Sequence, residues 1–399
     1  MILKRLIFLV LAITSQYFNA AIFGQSKPVL SVPFVLNNDH IIIQIKLDDS
    51  EALNFLFDSG AGGTLITKFA ADSLGMKPTV SRKNIGASGV HKVDMIKGVK
   101  LSIGEESIGN INILSTDTPL EEMDDGRKVH GVIGFPLLSK FTIEIDYSER
   151  HLKFYNRTSY TYTGNGAILP IAIDLTLTLP VTLATITMYN GTTFEGNFLV
   201  DTGARSELIM SAPSVVKYNM AENIGNHYTI RTDIGSSQRR TKIRYGRLKS
   251  LHFADYIFEN IPVALSSHNE GVLSIPSLDG IIGNRLLQRF NVIFDYQRAF
   301  IYLEPSILID DNYEINSAGF NIIFIEGKPY IKNLIDRSSA DLAGIRNGDE
   351  IISINSTLVE NITAKEIRNS FFKNGEKIAV VIKRKKKYKY TEFVLKALI

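Results

Sequence analysis

The sequence predicts a mostly β protein made of two related lobes and a separate C-terminal module. Three observations carry this: a long unit written twice, runs of β-branched residues that end in alternation, and a shift of charge and pattern after Pro305. Repeats fix an architecture before local patterns do. Ile133-Gly134-Phe135-Pro136-Leu137-Leu138-Ser139-Lys140-Phe141 and Ile282-Gly283-Asn284-Arg285-Leu286-Leu287-Gln288-Arg289-Phe290 lie 149 residues apart and share Ile, Gly, Leu, Leu and Phe. The match runs on to Asp146-Tyr147 and Asp295-Tyr296. Upstream, Phe55-Leu56-Phe57-Asp58-Ser59-Gly60-Ala61 corresponds to Phe198-Leu199-Val200-Asp201-Thr202-Gly203-Ala204 at an offset of 143. A loop insertion explains the small difference between the offsets.

In chain order, residues 1–21 read as an export leader. Lys4-Arg5 supplies positive charge, Leu6 to Ile13 is apolar, and Ala20-Ala21 offers a cleavage zone. The apolar run is shorter than the roughly 20 residues a membrane span needs. The first lobe is expected over residues 28–160 and the second over 165–305. Ile41 to Leu47 and Val181 to Met188 read as strands, with turn residues following at Asp48-Asp49-Ser50 and Asn190-Gly191. Helical windows are short, at Thr67 to Leu74, Pro136 to Lys140 and their second-lobe counterparts. Ser306 to Asn312 reads as a linker.

The module at 315–399 carries 15 Lys/Arg against 9 Asp/Glu, while the whole chain has a net charge of only +3. Its expected strands are Phe320 to Ile325 and Tyr330 to Leu334, then a helix over Thr363 to Phe372 and a hairpin of Ile378 to Lys383 with Tyr388 to Leu395. Arg384-Lys385-Lys386-Lys387 falls at that hairpin's tip and reads as a solvated turn.

Composition narrows the chemistry. The weak net charge argues against nucleic acid as a partner. The chain has no cysteine, which excludes disulfides, thiol nucleophiles, thiolate zinc and iron–sulfur sites. Its seven histidines form no HExxH or HxH pair, so neither a metal nor an organic cofactor is expected.

In both copies an apolar strand ends in a carboxylate. Burying a lone carboxylate is costly unless it is hydrogen-bonded or shares a proton. The glycines Gly60 and Gly203 permit close approach by another backbone, and the Ser59 and Thr202 hydroxyls can hold the loops. If the lobes meet about a two-fold axis, Asp58 and Asp201 come side by side and share one proton. One carboxyl is then a base and the other an acid around one water, which suits amide hydrolysis.

These residues resemble the catalytic loops of aspartic proteases, the pepsin and retropepsin clan. The resemblance extends over about residues 30–305, because Val132-Ile133-Gly134 and Ile281-Ile282-Gly283 match the family's second segment in both lobes. It implies two pepsin/retropepsin-like β-barrel lobes, catalytic roles for Asp58 and Asp201, and cross-bracing of the loops by Ser59 and Thr202. It also implies a flap over the cleft, with Gly86-Ala87-Ser88-Gly89 and Gly235-Ser236 as candidate tips. The first of these lacks the tyrosine that pepsin-like enzymes usually carry. The absence of cysteine fits bacterial duplicated relatives better than secreted eukaryotic pepsins.

The run Ala343-Gly344-Ile345 followed by Asn347-Gly348-Asp349-Glu350-Ile351-Ile352-Ser353-Ile354-Asn355 resembles a PDZ domain of the bacterial type. That resemblance implies a groove for a peptide C-terminus, with Ala318-Gly319-Phe320 as the carboxylate loop. The reading is an exported (periplasmic or secreted) aspartic-type endopeptidase with a peptide or protein substrate in its cleft. Membrane contact is expected only if the leader stays uncut. The competing reading is a non-catalytic peptide-binding or scaffold protein of the cell envelope.

Overall fold

In the computed structural model, residues 26–86, 89–174, 178–232, 241–313 and 315–399 are described. The leader at 1–21, Ala87, Ser88, Gly235 and Ser236 lie outside them. The two repeats fold into two sheets with the same strand order. In the first lobe the order is Val35–Asn37, His40–Leu47, Leu53–Phe57, Gly131–Ile133, Thr64–Thr67, Glu106–Thr116, Gly89–Ile103 and Val80–Gly86. The second runs Ala172–Asp174, Leu179–Thr187, Thr193–Asp201, Gly280–Gly283, Leu208–Met210, Tyr256–Leu265, Thr241–Phe253 and Tyr228–Thr232. An extra pairing in each lobe, Lys46 with Ser102 and Ile186 with Leu251, curls the sheet back on itself.

A third sheet joins the lobes. Each lobe gives it three strands, and they meet where Phe141–Asp146 pairs antiparallel with Phe290–Asp295. Those two strands follow equivalent repeats, so their pairing places the pseudo-two-fold axis between Glu144 and Ile293. Phe55, Phe57, Phe198, Phe290 and Phe294 are fully buried in one core that spans both lobes and this sheet. Each such ring contributes about 1.5–3 kcal/mol through burial.

The C-terminal module has its own core, built on Phe320, Ile351, Ile367, Phe371 and Ile378. Its sheet runs Asn321–Ile325, Lys328–Lys332, Glu350–Ile354, Lys377–Arg384 and Lys387–Val394. The second strand begins earlier than the sequence suggested. Glu326 and Gly327 take the positive φ values of a tight turn, and Asn333 at φ 54 ends the strand before Leu334. The expected helix shortens to Ala364–Asn369: Thr363 caps its start, exchanging hydrogen bonds with Glu366, and Ser370 caps its end before Phe372 is reached. Arg384 is not part of a solvated turn: it pairs with the buried Asp349 at 2.7 Å, and only Lys385, Lys386 and Lys387 are fully exposed.

Candidate active site

Both aspartates stand where a buried strand runs out. Leu53–Phe57 lies parallel to Gly131–Ile133, and the Asp58 amide donates to Ile133 O at 2.9 Å. In the second lobe Asp201 sits opposite Gly283 on the parallel strand Gly280–Gly283. Glycine is required after each apolar pair. A Cβ on Gly134 would lie 2.0 Å from Asp58 O, and one on Gly283 would lie 2.3 Å from Ser206 O. The Ile-Gly segments thus press directly beneath the two Asp loops.

The loops then lock across the axis. The Ser59 amide donates to Thr202 Oγ1 at 2.9 Å, and the Thr202 amide donates to Ser59 Oγ at 3.0 Å. Each hydroxyl passes its own proton to the opposite strand, Ser59 to Val200 O at 2.8 Å and Thr202 to Phe57 O at 3.3 Å. Both side chains are buried, so the four bonds form a closed polar network within the core.

This brace delivers the carboxyls to one place. The Asp58 carboxyl lies against Gly203 and the Asp201 carboxyl against Gly60, each over the other loop's glycine. Gly60 N–H donates to Asp58 Oδ1 at 2.7 Å, and Gly203 N–H to Asp201 Oδ1 at 2.8 Å. Desolvation, and then the neighbouring Asp201 charge, push Asp58 well above the ordinary carboxylate range. Asp201 is raised too, by desolvation, but hydrogen bonds from Asp58 and the loop amides oppose the rise. Both carboxyls are raised, so the pair shares one proton. The arrangement can hold one water between a carboxylate and a carboxylic acid.

Three features beside the dyad escaped the sequence reading. The Asp39–His40 turn of the first lobe crosses to the second. Asp39 pairs with Arg285 at 2.7 Å and accepts from Gln288 at 3.1 Å, while its carbonyl accepts from Asn284 at 2.7 Å. His40 Nε2 lies 3.1 Å from Gly203 O, an acceptor only, so that nitrogen carries the proton. Burial and the nearby Arg205 lower His40 to about 4, which keeps it neutral at physiological pH. The repeated Asp-Tyr pair also swaps sides: Tyr147 hydrogen-bonds Asn284 of the second lobe, and Tyr296 packs on Phe135 of the first at 6.2 Å. The one available signal was the departure of Asn284-Arg285 from Phe135-Pro136 in the repeat.

Gly86 pairs with Gly89 at the described end of the hairpin between Val80–Gly86 and Gly89–Ile103. In the second lobe the corresponding hairpin is described as far as the pair Thr232–Thr241. Among the described residues no three His, Asp or Glu side chains are placed to hold a metal ion.

With this geometry in view, comparison with known proteins gives two assignments. Residues 43–137 match the aspartyl protease family. Residues 309–383 match the PDZ domain. The first match covers the strands that carry Asp58 and Gly134, and the second begins in the linker and reaches Lys383. Among solved structures, the aspartic proteinase from Irpex lacteus is 16% identical, with 71% of this chain and 98% of that one aligned at a TM-score of 0.45. No curated protein matches the chain.

In the PDZ domain the proposed carboxylate loop is closed on itself. The Ala318 and Gly319 amides, which the sequence offered to a peptide terminus, both donate to Asn316 Oδ1, at 2.9 and 3.1 Å. The Phe320 ring is buried against Phe371 at 4.9 Å.

Proposed function

We propose that the chain is an aspartic-type endopeptidase that hydrolyses peptide bonds with a water held between Asp58 and Asp201. One observation carries the reading: each carboxyl lies over the glycine of the other lobe's loop, with its own loop amide on one oxygen. The ionised carboxyl of the pair takes a proton from the water as the water oxygen attacks the scissile carbonyl carbon. The protonated carboxyl gives its proton to the carbonyl oxygen, forming a neutral tetrahedral diol. The carboxyl that took the water's proton then passes it to the amide nitrogen while the other, now a carboxylate, takes a proton from a diol hydroxyl; the C–N bond breaks, leaving an amine, a carboxylic acid and a dyad with its single proton restored. No covalent enzyme intermediate forms, because neither carboxyl bonds to carbon.

The cleft between the lobes takes an extended peptide, and the hairpin ending at Gly86 and Gly89 is its lid. The PDZ domain, whose edge strand Asn321–Ile325 has a partner on only one side, is the module's peptide-binding surface. Export is part of the proposal and is supported by the charged and apolar opening of the sequence. The test is incubation of the purified chain with a mixed peptide library, followed by sequencing of new termini. Cleavage that vanishes in Asp58→Asn and with a statine-type inhibitor is expected. Intact peptides that co-purify with the chain, without new termini, favour the non-catalytic binding protein.

A further inference from the structure

An acidic loop of the first lobe touches the PDZ domain. That loop joins Glu106–Thr116 to Gly131–Ile133 and contains Glu121-Glu122-Met123-Asp124-Asp125. Asp124 takes both guanidinium nitrogens of Arg368, at 2.5 and 2.6 Å. Arg368 rises from the helix Ala364–Asn369 and also covers the ring of Phe324 on the edge strand, 4.9 Å from its centroid. It therefore reaches from the helix to the edge strand, and both partners of the pair are largely buried, at 16% and 18% side-chain exposure. Beside it, Glu122 Oε2 accepts from the Glu326 amide at 3.1 Å. Gly126 brings its backbone so close that a Cβ there would lie 3.1 Å from Gly327 N.

The loop is also tied to its own lobe. Met123 is buried, and the Asp124 amide donates to Asn37 at 2.9 Å. Glu121 reaches in the other direction, to Arg205 at 2.7 Å, directly after the Asp201-Thr202-Gly203-Ala204 loop. On the second lobe Asn333 donates to Thr232 at 3.2 Å, so the domain rests on both lobes.

We propose that this acidic loop is an internal ligand of the PDZ domain, bound at Arg368, and that carboxylate-bearing peptides compete with Asp124 for that guanidinium. Two observations point the same way. Two amides of the carboxylate loop, those of Ala318 and Gly319, are spent on Asn316. The cation that reaches from the helix to the edge strand holds a carboxylate in the planar, two-bond geometry that arginine favours. Displacing Asp124 loosens the loop that supplies Glu121 to Arg205, so occupancy of the domain alters the surroundings of the Asp201 loop. This second half rests on the peptidase reading; the first does not. By linkage, the coupling works in both directions.

The probe is a fluorescein-labelled peptide with the sequence of residues 121–127, measured by fluorescence anisotropy against the full chain in an Asp58→Asn background so that it is not consumed. An internal competitor that occupies the site most of the time weakens the probe by the reciprocal of the free fraction, so Asp124→Asn is expected to tighten binding about tenfold or more. Arg368→Gln is expected to abolish binding, alone and combined with Asp124→Asn, with unfolding curves confirming that each variant is folded. Equal affinity in the parent and Asp124→Asn overturns the proposal, as does undiminished binding to Arg368→Gln. In the active background Asp124→Asn is expected to change kcat/KM by about threefold or more. An unchanged value refutes the coupling, whereas a complete lack of cleavage refutes the peptidase reading and leaves the anisotropy result to decide the internal ligand.

Discussion

Replacing Gly203 by alanine tests the site at its tightest point. A Cβ at position 203 would stand 2.3 Å from Asp58 Cγ and 2.4 and 2.6 Å from its oxygens. Carbon atoms in contact normally keep about 3.5 Å, so the Asp58 carboxyl must retreat by about 1 Å. A displacement of that size at a reacting group costs about 10²-fold in rate. Gly203 does not use a positive φ, so alanine brings no backbone strain of its own. The assay is kcat/KM on a peptide identified from the library, alongside the thermal midpoint. Gly60→Ala is the symmetric variant, since its Cβ would stand 2.5 Å from Asp201 Cγ. Gly63→Ala is the control, because nothing lies within 4 Å of a Cβ there. If Gly203→Ala keeps kcat/KM within about twofold of the parent and a native midpoint, the carboxyl is not confined as argued.

Other outcomes follow from the same contacts. Asp58→Asn and Asp201→Asn should each lower kcat by about 10²–10⁴-fold, read on the same peptide, while circular dichroism stays native. Because Asp58 is raised in the folded state, its contribution to stability is full below the ordinary pKa of 3.8 and fades as pH climbs toward the raised value. The stability gained in Asp58→Asn should therefore grow as pH increases from about 4 to 7, measured by urea unfolding; a gain independent of pH would contradict the shift. Thr202→Val keeps the side chain's shape but strands the buried Ser59 amide, and should cost about 1–3 kcal/mol in the same experiment. Asp39→Ala removes the clasp on Arg285, which is partly solvated, and should cost about 1–2 kcal/mol while weakening kcat more than KM.

The duplicated segments were legible because repetition needs no packing information. Offsets near 143 and 149 already implied two equivalent lobes, and glycine beside aspartate already implied close backbone approach. Turn chemistry was less legible. The module's second strand was expected from Tyr330, but Glu326-Gly327 closes the turn in two positions, which moved that strand's start to Lys328. Asn316 shows the limit of motif reading: a side chain outside the recognised loop captured the amides inside it.

The sequence by itself determined the strand-ending carboxylates, the glycines that let them approach, and the hydroxyls able to tie the loops. Local chemistry dictates these, and a linear text displays it. Only the tertiary structure decided which groups meet across lobes: Asp39 with Arg285, His40 with Gly203, Tyr147 with Asn284, and Asp124 with Arg368. Their separations along the chain run from 137 to 246 residues. No local propensity spans such distances; each pair is selected by how two finished surfaces fit, and by the cost of leaving a charge or a donor buried without a partner.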